Sequence, residues 1–449
     1  MPPKHENTKN THQIGLVKFG VLEFWWQKSF LRWLLIITNL RINKSRSFVY
    51  SGFNSYSLMR TISADYIFPV SSPPIKNGVV VVDDNGVIAS PPIPFLDERA
   101  DVEIYKGIIV PGFVNTHCHL ELSHLKGQVT EHKGLTDFIS ELVPKRGAIS
   151  PEQIKSAIQS AEDEMLHNGI VAVGDISNTD HSFEQKRKGK IIYHTFLEIF
   201  DLVSEKAEEK ISEAKLLSVK LKTLSSSITP HAPYTVSGKL MEFIDKLKQS
   251  FLSIHNQESS SENELFFSGT GPLAEFMQKA GVDVDAKRRA NNPLLFVMGA
   301  LIETKKILLV HNTYTSKEDI EIIRHYAQGG ECDVALCLCP GANLFIENRL
   351  PDIPMFLENG MKLTLGTDSY AANWSLSILE EMKTISKHYP QTPFENLLLW
   401  ATKNGAEFLG MEKEIGTIEK GKKPGLNLLK GIDVEKMKLS ETTSVQKLI

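Results

Sequence analysis

Gly107-Ile-Ile-Val-Pro-Gly-Phe-Val-Asn-Thr-His117-Cys-His119 is an apolar run that ends in two histidines separated by one residue. On a strand, residues i and i+2 face one side and lie about 6–7 Å apart along the backbone. Both imidazoles can therefore converge on one metal ion while Cys118 faces away, which supplies half of a metal site. The other half is suggested by a recurrence. Phe251-Leu-Ser-Ile ends in His255, with Glu258 three residues on; Ile307-Leu-Leu-Val ends in His311; Lys362-Leu-Thr-Leu-Gly-Thr ends in Asp368; Ser227-Ile-Thr-Pro ends in His231. Chemistry gathered at the carboxyl ends of successive strands is how a (β/α)8 barrel builds an active site.

Composition permits that fold. The chain has 449 residues, 41% hydrophobic and 23% charged, enough for a large core in one or two domains. A formal charge of −4 offers no electrostatic grip on nucleic acid. Four cysteines, at 118, 332, 337 and 339, have neither zinc-ribbon spacing nor the density of a secreted disulfide scaffold, so a reducing cytoplasm is expected.

Residues 1–58 read as an N-terminal extension outside the fold, with Met59 the natural beginning. Leu16 to Leu40 is apolar and tryptophan-rich but broken by Lys18, Glu23, Lys28 and Arg32, and the uncharged stretch Trp33 to Leu40 is too short to span a bilayer. No stable membrane insertion is expected. From Arg60 the text is β-like, and Asn85-Gly86 between apolar runs is a strong hairpin signal. Gly416-Thr-Ile-Glu-Lys-Gly and Leu426-Asn-Leu-Leu read as short strands as well. Two stubs too small to fold alone, 59–110 and 411–449, are expected to join in one small β-sandwich domain built from both chain ends.

Between them, over 111–410, strand-like and helix-like segments alternate, which argues for a parallel sheet wrapped in helices, the α/β barrel class. The expected strands are Ile108–Val114, Ile170–Ile176, Ile191–Glu198, Ser226–His231, Phe251–His255, Ile307–His311, Asp333–Cys339 and Met361–Thr367. Leu240, Phe243, Ile244 and Leu247 recur at helical spacing. Ser316-Lys-Glu-Asp319 caps a helix expected to stop at Gly329-Gly330. The connection Ser259 to Pro293 is long for a βα loop, and loops at that face often form lids or substrate walls.

Three neutral imidazoles and one carboxylate at a barrel mouth match what zinc, iron or manganese accepts, leaving a position for water. Such an ion lowers the pKa of its water toward neutrality. Glu258, just past the strand end, could carry protons from nucleophile to leaving group without ligating the metal. His311 could hydrogen-bond the nucleophile, and Asp368 could both touch the metal and take the water's proton.

His117-Cys-His119, His231-Ala-Pro-Tyr, His255-Asn-Gln-Glu258, His311 after a strand, and Gly366-Thr-Asp368-Ser resemble, in order, the motifs of the amidohydrolase superfamily. They are most similar to its mononuclear deaminase and chlorohydrolase branch, which includes cytosine, guanine, adenosylhomocysteine and aminofutalosine deaminases. The resemblance runs from about Met59 to Leu429. It implies that His117, His119, His255 and Asp368 bind one divalent metal ion, zinc first, that Glu258 shuttles protons and that His311 polarises the hydroxide. It also implies that His231 contacts substrate, and that hydroxide adds to an amidine-like carbon with release of ammonia. No lysine stands where binuclear relatives carry a carbamylated one, which favours a single metal.

Two segments depart from the pattern. Leu120-Glu121-Leu-Ser-His124 differs from what is common in adenosylhomocysteine deaminases, and Glu121 reads either as a substrate contact or as a structural carboxylate. Cys339-Pro-Gly-Ala-Asn343-Leu-Phe-Ile-Glu-Asn-Arg349 is similar to the family's Pro-x-Ser-Asn loop with alanine for serine, making Asn343 and Arg349 candidate specificity residues. An isolated histidine on an apolar run is ordinarily a core residue, the reading kept for His194 and His325; Cys337 and Cys339 read the same way. Three functional classes stay open: a deaminase of an amino-substituted heterocycle or nucleoside, a hydrolase of a cyclic amide or another C–N or C–Cl bond on the same site, and a non-catalytic relative. The expected partner is a small-molecule substrate, with a homodimer as the expected assembly.

Overall fold

The computed structural model describes residues 59–94, 101–202, 204–288, 290–327 and 332–449. The expectations for residues 1–58 and for the stop at Gly329-Gly330 lie outside the described residues. From the amino end come β1 (Arg60–Ile67), β2 (Ile75–Lys76), β3 (Gly78–Val82), β4 (Ile88–Pro94) and β5 (Val102–Pro111). Then follow β6 (Phe113–Cys118), β7 (Ile170–Ser177), β8 (Ile192–Ile199), β9 (Ser225–Pro230), β10 (Leu252–Asn256), β11 (Lys306–His311), β12 (Asp333–Leu338) and β13 (Lys362–Leu365). The carboxyl end adds β14 (Leu426–Lys430) and β15 (Ser444–Lys447).

Strands from the two chain ends share one seven-stranded sheet, ordered β15-β14-β5-β1-β3-β4 with β2 on β1. Its buried face gathers Ile62, Ile67, Val80, Val82, Ile109, Leu426 and Leu428. The Asn85-Gly86 turn joins β3 to β4 as the sequence predicts: Gly86 takes φ +83, and Asp83 Oδ1 accepts from the N–H groups of Asn85 and Val87 at 3.0 and 2.8 Å. Gly416–Gly421 is not a strand. It is instead a loop, held by Ile418 N–H on the Pro69 carbonyl and Gly421 N–H on the Ile88 carbonyl.

The strand expected over Ile108–Val114 is in fact two. β5 pairs with β1 and β14 in the chain-end sheet, whereas β6 pairs with β7. The break falls at Gly112, whose N–H donates to the Pro424 carbonyl at 3.0 Å. A Cβ there would lie 2.6 Å from that oxygen and 2.3 Å from Val171 Cγ1, so no side chain fits where the chain crosses from one sheet to the other.

The remaining strands form two four-stranded parallel sheets, β6-β7-β8-β9 and β10-β11-β12-β13. Hydrogen bonds cross both seams. His255 N–H donates to the His231 carbonyl at 2.9 Å, and on the far side Thr367 and Asp368 N–H donate to the His117 carbonyl at 3.0 and 3.1 Å. Alternate residues enter separate apolar clusters, with Leu308, Val310, Ala335 and Cys337 in one and Ile307, Leu309, Val334 and Leu336 in the other. Burial on both faces explains why these runs read as continuous Val, Ile and Leu.

Helices fill the connections. Ser237 caps Gly238–Asp245 by accepting from Leu240 N–H, and Ser316 and Asp319 cap Lys317–Ala327 reciprocally. The connection from Ser259 to Pro293 folds into Ser260–Ser268, Pro272–Lys279 and Val284–Arg288. Buried Lys287 ties it down by donating to the carbonyls of Pro233, at 2.8 Å, and Val236, in the turn after His231. Among the described residues no helix is long and apolar enough to cross a membrane.

Candidate active site

Each strand end delivers its side chain through a local lock. Asn115 Nδ2 donates to Thr367 Oγ1 at 2.8 Å and Asn115 Oδ1 accepts from Thr367 N–H at 3.1 Å, clamping the turn that carries Asp368 onto β6. Behind the histidine pair, Asp175 Oδ1 accepts from Leu120 N–H at 2.8 Å while Oδ2 meets Lys186 Nζ at 2.5 Å, a fully buried ion pair that holds the turn after His119. His311 and Asp368 both adopt positive φ, +73 and +55. Non-glycine residues seldom do so, and such backbone is often retained at functional turns.

These locks bring the predicted ligands together. The ring of His117 lies 4.9 Å, centroid to centroid, from those of His119 and His255 and 5.8 Å from that of His311. Asp368 Oδ1 is 3.6 Å from His119 Nε2 and 4.0 Å from His117 Nε2. Four overlapping groups have ligand atoms all within 4.8 Å of one another: His117, His255 and His311; His117, His119 and Asp368; His119, Glu198 and His255; Glu258, His311 and Asp368.

The donor set fits a divalent cation. Both ring nitrogens of His117 are buried without a hydrogen-bond partner, a costly condition unless something else meets them. His255 Nδ1–H donates to the His231 carbonyl at 2.7 Å, which leaves the Nε2 lone pair facing His119 Nε2 at 3.3 Å. Fixing one ring nitrogen by a backbone carbonyl so that the other can ligate is a common arrangement at metal sites. Burial and then neighbouring histidines push His117 well below the ordinary imidazole range, and burial takes His119 down to about 3. Neutral imidazole is the form that ligates.

Beside the imidazoles sit two groups suited to proton transfer. Burial, then the charges of Asp368 and Glu262, hold the Glu258 carboxyl well above its usual range. Glu258 Oε1 is 3.6 Å from His311 Nε2. His311 Nδ1 accepts from Asn343 Nδ2 at 3.3 Å, so the proton of a neutral His311 resides on Nε2, which has no other partner.

The predicted substrate contacts are placed differently from one another. His231 is half-buried, its ring centroid 4.8 Å from that of His255 and its Nδ1–H on Thr235 Oγ1 at 2.8 Å. Asn343 is buried and turned toward His311 and Thr313. Arg349 is exposed, with its guanidinium 4.6 Å from the Tyr314 ring centroid, and is not among the clustered groups. Glu121 is enclosed by protein donors. Thr179 Oγ1 at 2.7 Å, Thr179 N–H at 3.0 Å, Asn178 N–H at 3.2 Å and the Arg146 guanidinium all reach its carboxylate. Glu198, at the end of β8, is a member of the cluster that sequence reasoning passed over. Its signal was the same as the others', since it is a charged group near the end of an apolar run.

The chain matches the model of the amidohydrolase family over residues 108–448. It is 26% identical over 330 residues to an adenosine deaminase of Helicobacter pylori, covering 72% of this chain and 78% of that protein. Among solved structures, Helicobacter pylori aminofutalosine deaminase in complex with methylthio-coformycin superposes with a TM-score of 0.69 at 23% identity, over 82% of this chain and 92% of that one. An adenosine deaminase of Xanthomonas campestris with bound zinc does so with a TM-score of 0.61 at 23% identity, over 82% and 84%.

Proposed function

This chain belongs to the amidohydrolase family, and from that membership we propose that it hydrolytically deaminates an amino-substituted heterocycle or nucleoside at a site built on one divalent metal ion. The observation that carries the reading is the convergence of His117, His119, His255 and Asp368, with unpartnered imidazole nitrogens, beside Glu258 and His311. Those four residues would hold the ion, zinc first among the metals such ligands suit, with iron or manganese next. When bound, the ion lowers the pKa of a coordinated water and so supplies a nucleophile near neutral pH.

The side chains perform the rest. In the overall reaction the water oxygen bonds to the ring carbon, the carbon–nitrogen bond to the amino group breaks, and of the two water protons one ends on the ring nitrogen and the other on the amino nitrogen, which departs as ammonia. Glu258, whose carboxyl is held above its usual range by burial, carries a proton to the ring nitrogen beside the reacting carbon. His311, held by Asn343 with its proton on Nε2, donates to the oxygen arriving at that carbon. Lys287 ties the Val284–Arg288 helix to the turn after His231.

The same membership supports reading 111–410 as one (β/α)8 barrel, with 59–110 and 411–449 as a β-domain beside it; the hydrogen bonds across both seams favour closure. Four buried thiols without a disulfide suit a reducing cytoplasm. The test is ammonia release from a panel of aminopurines, aminopyrimidines and aminofutalosine-like nucleosides, with metal analysis alongside. Glu258→Gln should retain the metal and lose about 10³-fold in kcat; full turnover by that variant, or wild-type protein that holds no metal, sinks the reading.

A further inference from the structure

Glu198 is 6% exposed. Asn178 Nδ2 donates to its Oε2 at 3.0 Å and to its main-chain carbonyl at 2.8 Å. Oε1 has no hydrogen-bond partner. His255 Nδ1 stands 3.5 Å from it, but that N–H is committed to the His231 carbonyl at 2.7 Å. A buried carboxylate oxygen left without a donor is costly, and this one adjoins the ligand imidazoles.

Its place relative to Glu258 gives the missing donor an identity. Glu198 groups with His119 and His255, whereas Glu258 groups with His311 and Asp368, so the two carboxylates approach the imidazole cluster in company with different residues. An amidine-type carbon carries a ring nitrogen and an amino nitrogen on either side. With the ring nitrogen at Glu258, an amino group turned toward His119 and His255 would meet Glu198, and the N–H hydrogens at that carbon belong to the amino group.

We propose that Glu198 Oε1 accepts an N–H from the amino group that the reaction removes, which makes Glu198 a specificity residue for amino-substituted rings; this rests on the deaminase reading above. A halogen or carbonyl oxygen in that position would present lone pairs to a carboxylate, and a site built to receive a donor rejects a ligand that lacks one. A chain of half-buried contacts fixes the acceptor. Arg146 Nη2 donates to Asn178 Oδ1 at 2.8 Å and to Glu121, and Asn178 holds Glu198.

The experiment compares the full-length, metal-loaded wild type with Glu198→Gln and Glu198→Asp on 6-aminopurine riboside and 6-chloropurine riboside. It records kcat/KM for each ring, equilibrium binding of each by calorimetry, and metal content. Glu198→Gln replaces one bare acceptor by an amide that can also donate. Its amino-to-chloro ratio, in kcat/KM and in affinity, should fall by about tenfold to hundredfold with metal content unchanged, and Glu198→Asp should give an intermediate value. Equal losses on both rings, which leave the ratio unmoved, or loss of metal from Glu198→Gln overturns the inference and assigns Glu198 to support of the histidines. Wild-type ammonia release with an unmoved ratio defeats this inference alone. Wild-type protein that neither binds nor converts either ring defeats it, and a negative ammonia panel then defeats the deaminase reading as well.

Discussion

His117 and Glu121 lie four residues apart on one segment, and both are buried, yet the protein treats them in opposite ways. Neither ring nitrogen of His117 has a partner, whereas the carboxylate of Glu121 receives donors from Thr179, Asn178 and Arg146. Burial alone therefore does not separate a ligand-facing group from a structural one. What separates them is whether the fold satisfies the polar atoms itself. Glu198 stands between the two cases, with one oxygen taken and one bare.

The comparison breaks most readily at His117. His117→Asn should lose the metal and about 10³-fold or more in turnover, while urea unfolding of the metal-stripped protein changes less than it does for Glu121→Ala. A metal-free His117→Asn protein that unfolds at much lower urea would mean that the imidazole holds the fold after all.

Glu121→Ala should do the reverse. Removing that carboxylate strands two half-buried N–H groups, a hydroxyl and a guanidinium, at a cost of about 1–3 kcal/mol in unfolding free energy, while the protein keeps its metal. A variant of native stability that fails to bind substrate would restore Glu121 as a direct substrate contact.

Glu381 sharpens the lesson, because satisfied hydrogen bonds do not keep a buried carboxyl ionised. It accepts from Gly341 N–H and Asn373 Nδ2, each at 2.7 Å, but burial outweighs these bonds and raises its pKa to about 8. The folded state thus keeps a proton that the unfolded chain releases near 4.5. Stability from this group is complete below about pH 4.5 and is lost as pH rises through about 8, with a slope of at most about 1.4 kcal/mol per pH unit. Urea unfolding of Glu381→Gln across that window should show a flatter dependence than wild type; an unchanged slope would show that Glu381 does not titrate there.

Much of the site was legible because strand-end chemistry is a local pattern. An apolar run closing on His117-Cys-His119, or on His255 with Glu258 beyond it, announces both a buried strand and a group placed at its end. Less legible were features that depend on distant chain. The division of β5 from β6 at Gly112 requires Pro424 and Val171 to be nearby, and nothing in Ile108–Val114 reports them. Asn343, read as a specificity residue, is turned toward His311 by the way the 339–349 segment packs. Glu198 was visible as a charged residue near a strand end, but its importance lies in an oxygen that no residue satisfies.

By itself the sequence determined the alternation of buried strands and helices, the family, and which side chains stand at the strand ends, because period and hydrophobicity are properties of neighbouring residues. Only the tertiary structure decided which of those polar groups are satisfied and which are bare. That difference depends on donors such as Arg146, Asn178 and Thr179, brought to Glu121 across 25 to 58 residues of chain. Hydrogen-bond satisfaction is a matter of proximity in space, and proximity in space is settled when the chain closes on itself.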